Sequence, residues 1–167
     1  MVSQEVLKVI NILNEILDGN MIVTGSVALD LNNIIIRRNP VDIDIIVDKK
    51  HIDNIYFTEK YGNNVISVVE FDDNGSETIY ANMKLLVNNI KVDVLVSTTY
   101  DEELDTSTTY LALDYDPTTS KGAYNISDTN NILNAKIEYG LNDTNAISKL
   151  KHLEDVVYII ANNNLLI

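Results

Sequence analysis

The spacing of apolar residues along the chain predicts helices that alternate with short strands. Residues 3–18 place apolar side chains three and four positions apart, and Ser3 stands where a helix cap is expected. The segment MIVT at 21–24 is typical of a short buried strand. The next segment, SVALDLNN, predicts a helix that opens at Gly25-Ser26. The first third of the chain therefore reads as helix, strand and helix.

Strict alternation predicts the next strand, VDIDIIV, at 41–47. One face would carry the apolar residues Val41, Ile43, Ile45 and Val47, and the other face would carry Asp42, Asp44 and Ile46. Further on, NVISVVEF predicts a strand, and DDNGSE after it has the composition of a turn. The segments TIYANMKLLV and IKVDVLVS flank Asn88-Asn89, a pair that can adopt positive φ, and they predict a β-hairpin. Asp93 lies on the second strand of that hairpin.

The last third of the chain is less regular. Residues 98–130 are polar and predict a long excursion with some local structure, NILNAKIEYG predicts a short helix, and 144–162 predicts a longer one. That last helix would have one apolar stripe, made of Ile147, Leu150, Leu153, Val156, Val157 and Ile160. We expect an α/β (α+β) fold with a short mixed sheet of four or five strands, helices on one face and a C-terminal helical segment. The expected parts of this one compact domain are 1–100, 101–130 and 131–167.

Composition narrows the possible functions. The 167 residues are 46% hydrophobic, enough for a packed core, and they include no cysteine, so thiolate metal sites and cysteine nucleophiles are excluded. We expect a cytoplasmic protein, because the N-terminus has no secretory signal pattern and no apolar run could span a bilayer. The net charge of −13 disfavours bulk nucleic acid and anionic membranes as partners. It favours metals, cationic small molecules or basic proteins.

The three aspartates indicate metal chemistry. If the strand of Asp93 pairs beside the strand of Asp42 and Asp44, three carboxylates converge on one sheet face, where they repel one another. Mg²⁺ or Mn²⁺ would reverse that repulsion, since Mg²⁺ prefers a few carboxylates, waters and substrate phosphates. Such a site suits phosphoryl or nucleotidyl transfer. Gly25-Ser26, at a strand-to-helix turn, could present backbone N–H groups and a hydroxyl to a phosphate.

The order of these elements resembles the DNA polymerase β-like nucleotidyltransferase superfamily. TGSVALDL followed by RRNPVDIDIIV is similar to its branch with Gly-Gly/Ser-x-Ala, a helix and Arg-x-Thr-x-Asp-Ile-Asp, with Pro40 where threonine is usual. That branch includes antibiotic nucleotidyltransferases and components of abortive-infection and toxin–antitoxin systems. The resemblance covers 21–97 well and 131–160 loosely, where ILNAKIEYG and KLKHLEDVVYII are similar to a C-terminal pattern of lysines and an aspartate.

The resemblance implies roles for individual residues. Asp42 and Asp44 would bind two Mg²⁺ ions, and Asp93 would complete one site and help to deprotonate the acceptor hydroxyl. Gly25 and Ser26 would hold the β- and γ-phosphates of an NTP. The remaining nucleotide-binding candidates by position are Arg38, Lys136 and either Lys149 or Lys151, together with Asp155. From the residues alone, Arg38 could equally be a surface arginine, and Lys136 and Lys149 could be solvent lysines.

Three functions follow as hypotheses. The first is an Mg²⁺-dependent nucleotidyltransferase that moves NMP from an NTP to a hydroxyl. The acceptor could be a small molecule, a protein side chain or an RNA end, and the net charge disfavours bulk nucleic acid. The second is a catalytically silent module with the same fold, an antitoxin-like or phage accessory protein that acts through a protein partner. The third is a sugar-nucleotide glycosyltransferase, because Asp-x-Asp also occurs there. The short chain and the Gly-Ser helix opening disfavour the third.

Overall fold

The architecture is that of a computed structural model, which describes residues 2–61, 66–73, 79–97, 109–112, 124–142 and 144–164. Its helices are α1 (Gln4–Ile16), α2 (Gly25–Leu31), α3 (Ile52–Tyr61), α4 (Thr129–Asn142) and α5 (Ala146–Asn163), with a 3-10 turn at Lys49–His51. Its strands are β1 (Ile22–Thr24), β2 (Ile43–Asp48), β3 (Ile66–Asp73), β4 (Ile79–Val87), β5 (Ile90–Ser97), β6 (Thr109–Ala112) and β7 (Tyr124–Ser127). No helix within these ranges is long and apolar enough to cross a membrane.

The strands form one mixed sheet in the order β3-β4-β5-β2-β1-β7-β6. The pairs β2–β5 and β1–β7 are parallel, and the other neighbours are antiparallel. This confirms the predicted α/β class with a mixed sheet. The sheet is larger than the four or five strands expected, because β6 and β7 lie in the polar stretch 98–130, where no alternation marks a strand. Residues 98–108 and 113–123 of that stretch, like most of the DDNGSE turn, lie outside the described residues.

One face of the sheet carries the hydrophobic core. The alternation predicted for β2 and β5 is confirmed there, and the fully or almost fully buried residues of these strands are Ile43, Ile45, Val47, Val92, Val94 and Val96. Helix α1 packs its own apolar face into the same cluster, and Ser3 caps it by accepting a hydrogen bond from the Val6 N–H at 3.2 Å. Each such side chain contributes about 1.5–3 kcal/mol on burial. The opposite face of β2 and β5 carries Asp44 and Asp93, with Ile46 and Leu95 next to them.

The hairpin prediction is also confirmed. Asn88 and Asn89 have φ values of 49° and 65°, so both occupy the left-handed region that the two-residue turn requires. The turn sets the register of β4 against β5 and pairs Lys84 with Asp93. The position of Asp93 on the sheet is therefore fixed by a local feature of the chain.

The prediction is wrong at the start of β2. The strand begins at Ile43, so Val41 and Asp42 precede it, and Val41 is 70% exposed instead of buried. The pairing of β2 with its neighbours explains this. Strand β1 pairs with β2 only from Asp44 onward, and strand β5 pairs with β2 only from Ile43 onward. Pro40 has no N–H to extend the ladder further. The alternating pattern thus continues beyond the strand itself.

The C-terminal helices differ from expectation in two respects. Helix α4 begins at Thr129 and has 14 residues, so it is longer than the predicted short helix. Helix α5 is confirmed, with Asn145 as its cap, but three members of its expected apolar stripe are exposed: Ile147 (83%), Leu150 (57%) and Val157 (67%). The buried apolar residues of α5 are Val156 and Ile159. Because α5 packs mainly against α4, only part of its circumference is covered.

Candidate active site

A row of polar residues crosses four strands on the face opposite the core. The ladder pairs Thr24 of β1 with Asp44 of β2, Asp44 with Asp93 of β5, and Asp93 with Lys84 of β4. Asp44 and Asp93 are direct neighbours on parallel strands, so their side chains leave the sheet side by side. The predicted adjacency of these two aspartates is therefore seen in the fold.

This row forms part of a cleft of about 560 Å³ between the sheet and the C-terminal helices. That volume lies in the range typical of small-molecule sites. Strand residues on one side are Thr24, Asp44, Ile46, Asn82, Met83, Lys84, Asp93, Val94, Leu95 and Ser127, and Gly25 adjoins them. Helix residues on the other side are Asn131, Ile132, Ala135 and Lys136 of α4 and His152 of α5. The cleft can hold a ligand directly against the two carboxylates.

The electrostatics of Asp44 are unfavourable without a ligand. Burial, followed by the charge of Asp93, raises the pKa of Asp44 to about 6, and Asp42 adds a smaller effect in the same direction. The positive charges of Lys136 and Lys151 oppose this rise without cancelling it. A buried carboxylate beside a like charge is destabilised, and a cation in the cleft would relieve it.

Gly25 is required by the geometry beside Asp44. Its φ is +68°, a conformation that glycine adopts without strain. A Cβ on this residue would collide with Oδ2 of Asp44 and would lie 3.1 Å from its Cγ. The strand-to-helix turn therefore brings the backbone closer to the carboxylate than any other residue would allow.

Asp42 does not join the pair closely. It is exposed just before β2, although its charge still acts on Asp44. Across the described ranges, no three His, Asp or Glu side chains lie close enough together to hold a metal ion jointly. The donors present nonetheless fit Mg²⁺ or Mn²⁺, because two adjacent carboxylates facing an open cleft leave the remaining positions to water and phosphate oxygens.

A second charged cluster lies beside the cleft, around the buried Asp155 of α5. Its Oδ1 accepts a hydrogen bond from Nη2 of Arg37 at 2.8 Å. Its Oδ2 lies 3.4 Å from Nη2 of Arg38 and 3.9 Å from Nζ of Lys136. Arg37 also donates to Glu154 at 2.8 Å, and that hydrogen bond is the main cause that raises the pKa of Arg37. The cluster joins the segment before β2 to both C-terminal helices.

The remaining candidates divide by location. Lys136 lines the cleft, and burial lowers its pKa, whereas Asp155 and Asp44 act to raise it. Ser26 and Arg38 line a small crevice beside Lys136 and Asp155, not the main cleft. Lys149 is exposed, and no described contact brings it to the cleft. The charge of Lys151 does act on Asp44, so geometry favours Lys151 over Lys149.

The sequence analysis missed six polar residues of the cleft: Thr24, Asn82, Lys84, Ser127, Asn131 and His152. The sequence does predict the position of Lys84. If the hairpin turn is Asn88-Asn89, Val87 pairs with Ile90, and the register then pairs Lys84 with Asp93. Asn82 follows from the same count, two residues further along β4. Asn131 and His152 depend on how α4 and α5 pack over the sheet, which no local pattern specifies.

Comparison with known proteins supports the fold. No protein-family model matches the chain, and no curated protein matches it significantly. A "putative nucleotidyltransferase" from Thermotoga maritima is similar in structure, with 19% identity and a TM-score of 0.55 over 95% of this chain and 96% of that one. An "antigenic nucleotidyltransferase-like protein" from Paracoccidioides brasiliensis has 19% identity and a TM-score of 0.56, over 96% of this chain and 78% of that one. The chain thus has a nucleotidyltransferase-like fold.

Proposed function

We propose that the chain is an Mg²⁺-dependent nucleotidyltransferase that moves NMP from an NTP to a hydroxyl group. The observation that carries this proposal is the pair Asp44 and Asp93, in register on parallel strands within a ligand-sized cleft. The raised pKa of Asp44 adds that a cation in the cleft would stabilise the ionised form of this residue. The two similar solved structures are named a putative nucleotidyltransferase and a nucleotidyltransferase-like protein. Their names are consistent with nucleotidyl transfer by this chain.

In this proposal the divalent ion, when bound, supplies positive charge to the phosphate oxygens and polarises the attacked phosphorus. Asp44 and Asp93 would hold it through their carboxylate oxygens, and the charge of the exposed Asp42 would add to the attraction. Asp93 accepts the proton of the acceptor hydroxyl. The acceptor oxygen then forms a bond to the α-phosphorus as the bond to the bridging oxygen breaks, and pyrophosphate leaves.

The other residues bind and orient the nucleotide. Gly25, which has no side chain, lets the strand-to-helix turn lie directly against Asp44, so a phosphate bound at the turn would be next to this carboxylate. Lys136 lines the cleft, where its positive charge offsets phosphate charge, and Asp155 attracts both Lys136 and Arg38. Ser26 lines the neighbouring crevice. Because the chain has a net charge of −13 and repels polyanions, the acceptor in this proposal is a small molecule or a protein side chain rather than nucleic acid.

A second candidate, a catalytically silent interaction module of the same fold, is favoured by one observation. Only two of the three expected carboxylates are adjacent, and Asp42 lies outside the strand. A chain that has lost a complete metal site would keep the fold and the cleft without turnover. This module would act through a protein partner.

The experiment that separates the two candidates is incubation with each α-³²P-labelled NTP, Mg²⁺ or Mn²⁺, and candidate hydroxyl acceptors. Labelled product or self-labelled protein is expected for the wild type. Asp44→Asn and Asp93→Asn should each lower the rate by about 10³ or more, because transition-state charge loses several kcal/mol of stabilisation.

The matched control is Asp53→Asn, which removes an exposed carboxylate from the first turn of α3 and should leave the rate unchanged. Wild-type protein that forms no product with any NTP, either metal and all acceptors would favour the silent module. Full activity in both cleft variants would show that other residues carry the chemistry.

A further inference from the structure

The solvent-facing side of α5 is largely apolar. Ile147, Leu150 and Val157 are 83%, 57% and 67% exposed, and the exposed Ala161 continues their row. The buried residues of α5 are on the other side of the helix: Asp155, Val156 and Ile159. A surface helix normally turns polar and charged residues toward water on the face opposite the core. Exposed apolar surface of this kind indicates a contact with another protein.

The spacing of these residues is that of a coiled coil. Ile147, Leu150, Glu154, Val157 and Ala161 follow one another at alternating intervals of three and four residues, and we call these five residues the α5 seam. Residues with this spacing occupy the a and d positions of a heptad, which form the contact between two helices. From its first residue to its last, the seam spans about 21 Å of helix. The partner that fits it is therefore another α-helix with an apolar stripe.

The charges at the seam indicate which helix this is. Glu154 is the only charged member, and its carboxylate accepts a hydrogen bond from Arg37 at 2.8 Å. Lys151 is exposed and borders the seam, three residues before Glu154. If two copies of α5 pack antiparallel about a two-fold axis near position 152, Ile147 of each copy lies opposite Val157 of the other. Leu150 then lies opposite Glu154 of the second copy, and Lys151 next to it can pair with that carboxylate.

This complementarity is reciprocal, because the two-fold axis forms the pair of Lys151 and Glu154 twice. The net charge of −13 opposes self-association, but exposed charges more than about 8 Å apart are largely screened at physiological ionic strength. A basic partner protein would gain from the net charge, yet it would bring its cations next to Lys151 and Arg37. The charges close to the seam therefore favour a second copy of the chain.

We propose that the α5 seam is the interface of a homodimer in which two α5 helices pack antiparallel. This inference goes beyond the proposed function and does not depend on it. A contact between two helices of about 21 Å is smaller than a standard interface of about 1,600 Å². The dimer should therefore be weak, with a dissociation constant in the micromolar rather than the nanomolar range.

The first test is sedimentation velocity of the full chain at concentrations from about 1 to about 300 μM, which bracket a micromolar dissociation constant. The wild type should change from monomer to dimer over this range. Leu150→Asp should weaken the dimer about tenfold or more, because it places a second acidic side chain in the contact. Ile147→Asp, at the most exposed position, should do the same. The control is Phe57→Asp, which changes a 65% exposed apolar residue of α3 and should leave dimerisation unchanged.

The second test exchanges the charges. Lys151→Glu and Glu154→Lys should each weaken the dimer, because two like-charge pairs replace two opposite-charge pairs. An equimolar mixture of the two variants should dimerise again, since the mixed dimer has opposite charges at both positions. A mixture that stays monomeric while the wild type dimerises would overturn the antiparallel arrangement, and so would a Leu150→Asp variant that dimerises like the wild type. A wild type that is monomeric at every concentration would overturn the homodimer and leave the seam to a different protein.

Discussion

Two aspartates whose charges both act on Lys136 have opposite surroundings. Asp155 is 7% exposed and faces three cations, Arg37, Arg38 and Lys136. Asp44 has the like charge of Asp93 beside it, and its pKa is raised to about 6. Burial alone does not separate the two residues; the sign of the neighbouring charges does.

The difference indicates which carboxylate is structural and which awaits a ligand. The charge of Asp155 is compensated within the chain, so this residue can position Arg38 and Lys136 without any bound molecule. The charge of Asp44 is compensated only in part, so a cation in the cleft would stabilise its ionised form. Lys136 touches both environments, because Asp155 and Asp44 each act to raise its pKa.

The largest expected effect on stability concerns Asp155. Asp155→Asn should lower the free energy of unfolding by about 2–3 kcal/mol, because it leaves buried or half-buried cations without their anion. The measurement is urea denaturation at neutral pH. Glu154→Gln is the matched control, since Glu154 pairs with the same Arg37 but is half exposed, and it should cost about 0.5 kcal/mol. Equal losses in the two variants would remove the contrast between the clusters.

The next effect has the opposite sign. Folding raises the pKa of Asp44 from 3.8 to about 6, so the native state binds a proton more tightly than the unfolded chain does. The ionised form therefore destabilises the native state progressively as pH rises from about 4 to about 7, by about 2 kcal/mol in all. In a chelator, Asp44→Asn should be more stable than the wild type by that amount at pH 7.5 and equally stable near pH 4.

Mg²⁺ with an NTP should reverse this order, because a ligand that binds only the native wild type stabilises it by mass action. Thermal melts of both proteins in EDTA, in Mg²⁺ and in Mg²⁺ with NTP measure the two effects together. A variant that melts below the wild type in EDTA at pH 7.5 would show that Asp44 is compensated after all. Equal shifts on adding Mg²⁺ and NTP would place the ligand elsewhere.

The smallest effect tests the contact between Gly25 and Asp44. Gly25→Ala and Gly19→Ala both place alanine at positive φ, but only the former brings a Cβ against the carboxylate. We expect Gly25→Ala to be less stable by an additional ~1 kcal/mol, the cost of forcing Asp44 from its rotamer. For a chain of this length that is about 2–4 °C in melting temperature. Melting temperatures that fall equally would mean that the turn tolerates a side chain at Gly25.

The sequence was most informative where a local rule determines the structure. Alternation identified the core faces of β2 and β5, and the positive φ of Asn88 and Asn89 fixed the hairpin. These two features place Asp44 and Asp93 on the same face. The adjacency of the two strands was a conditional expectation, because pairing between distant strands depends on the whole sheet.

The sequence was least informative where tertiary packing decides the outcome. Val41 belongs to the alternating pattern but precedes the paired part of β2, so the pattern alone could not predict its exposure. Val157 belongs to a helical stripe but is exposed, because periodicity does not show whether another element covers that face. Asn131 carries no motif, and its placement in the cleft follows only from the way α4 packs over the sheet.

The parallel pairing of β2 with β5 has a consequence for the order of folding. β3 and β4 separate the two strands in the chain, so their contacts close a long loop, whereas the β4–β5 hairpin needs only a two-residue turn. Non-local pairings form slowly, because loop-closure entropy is lost before the contacts repay it. The hairpin that carries Asp93 should therefore exist before Asp44 arrives beside it. The helix that covers the cleft, α4, follows later still in synthesis, so a nascent chain would acquire its hairpin first and its ligand site last.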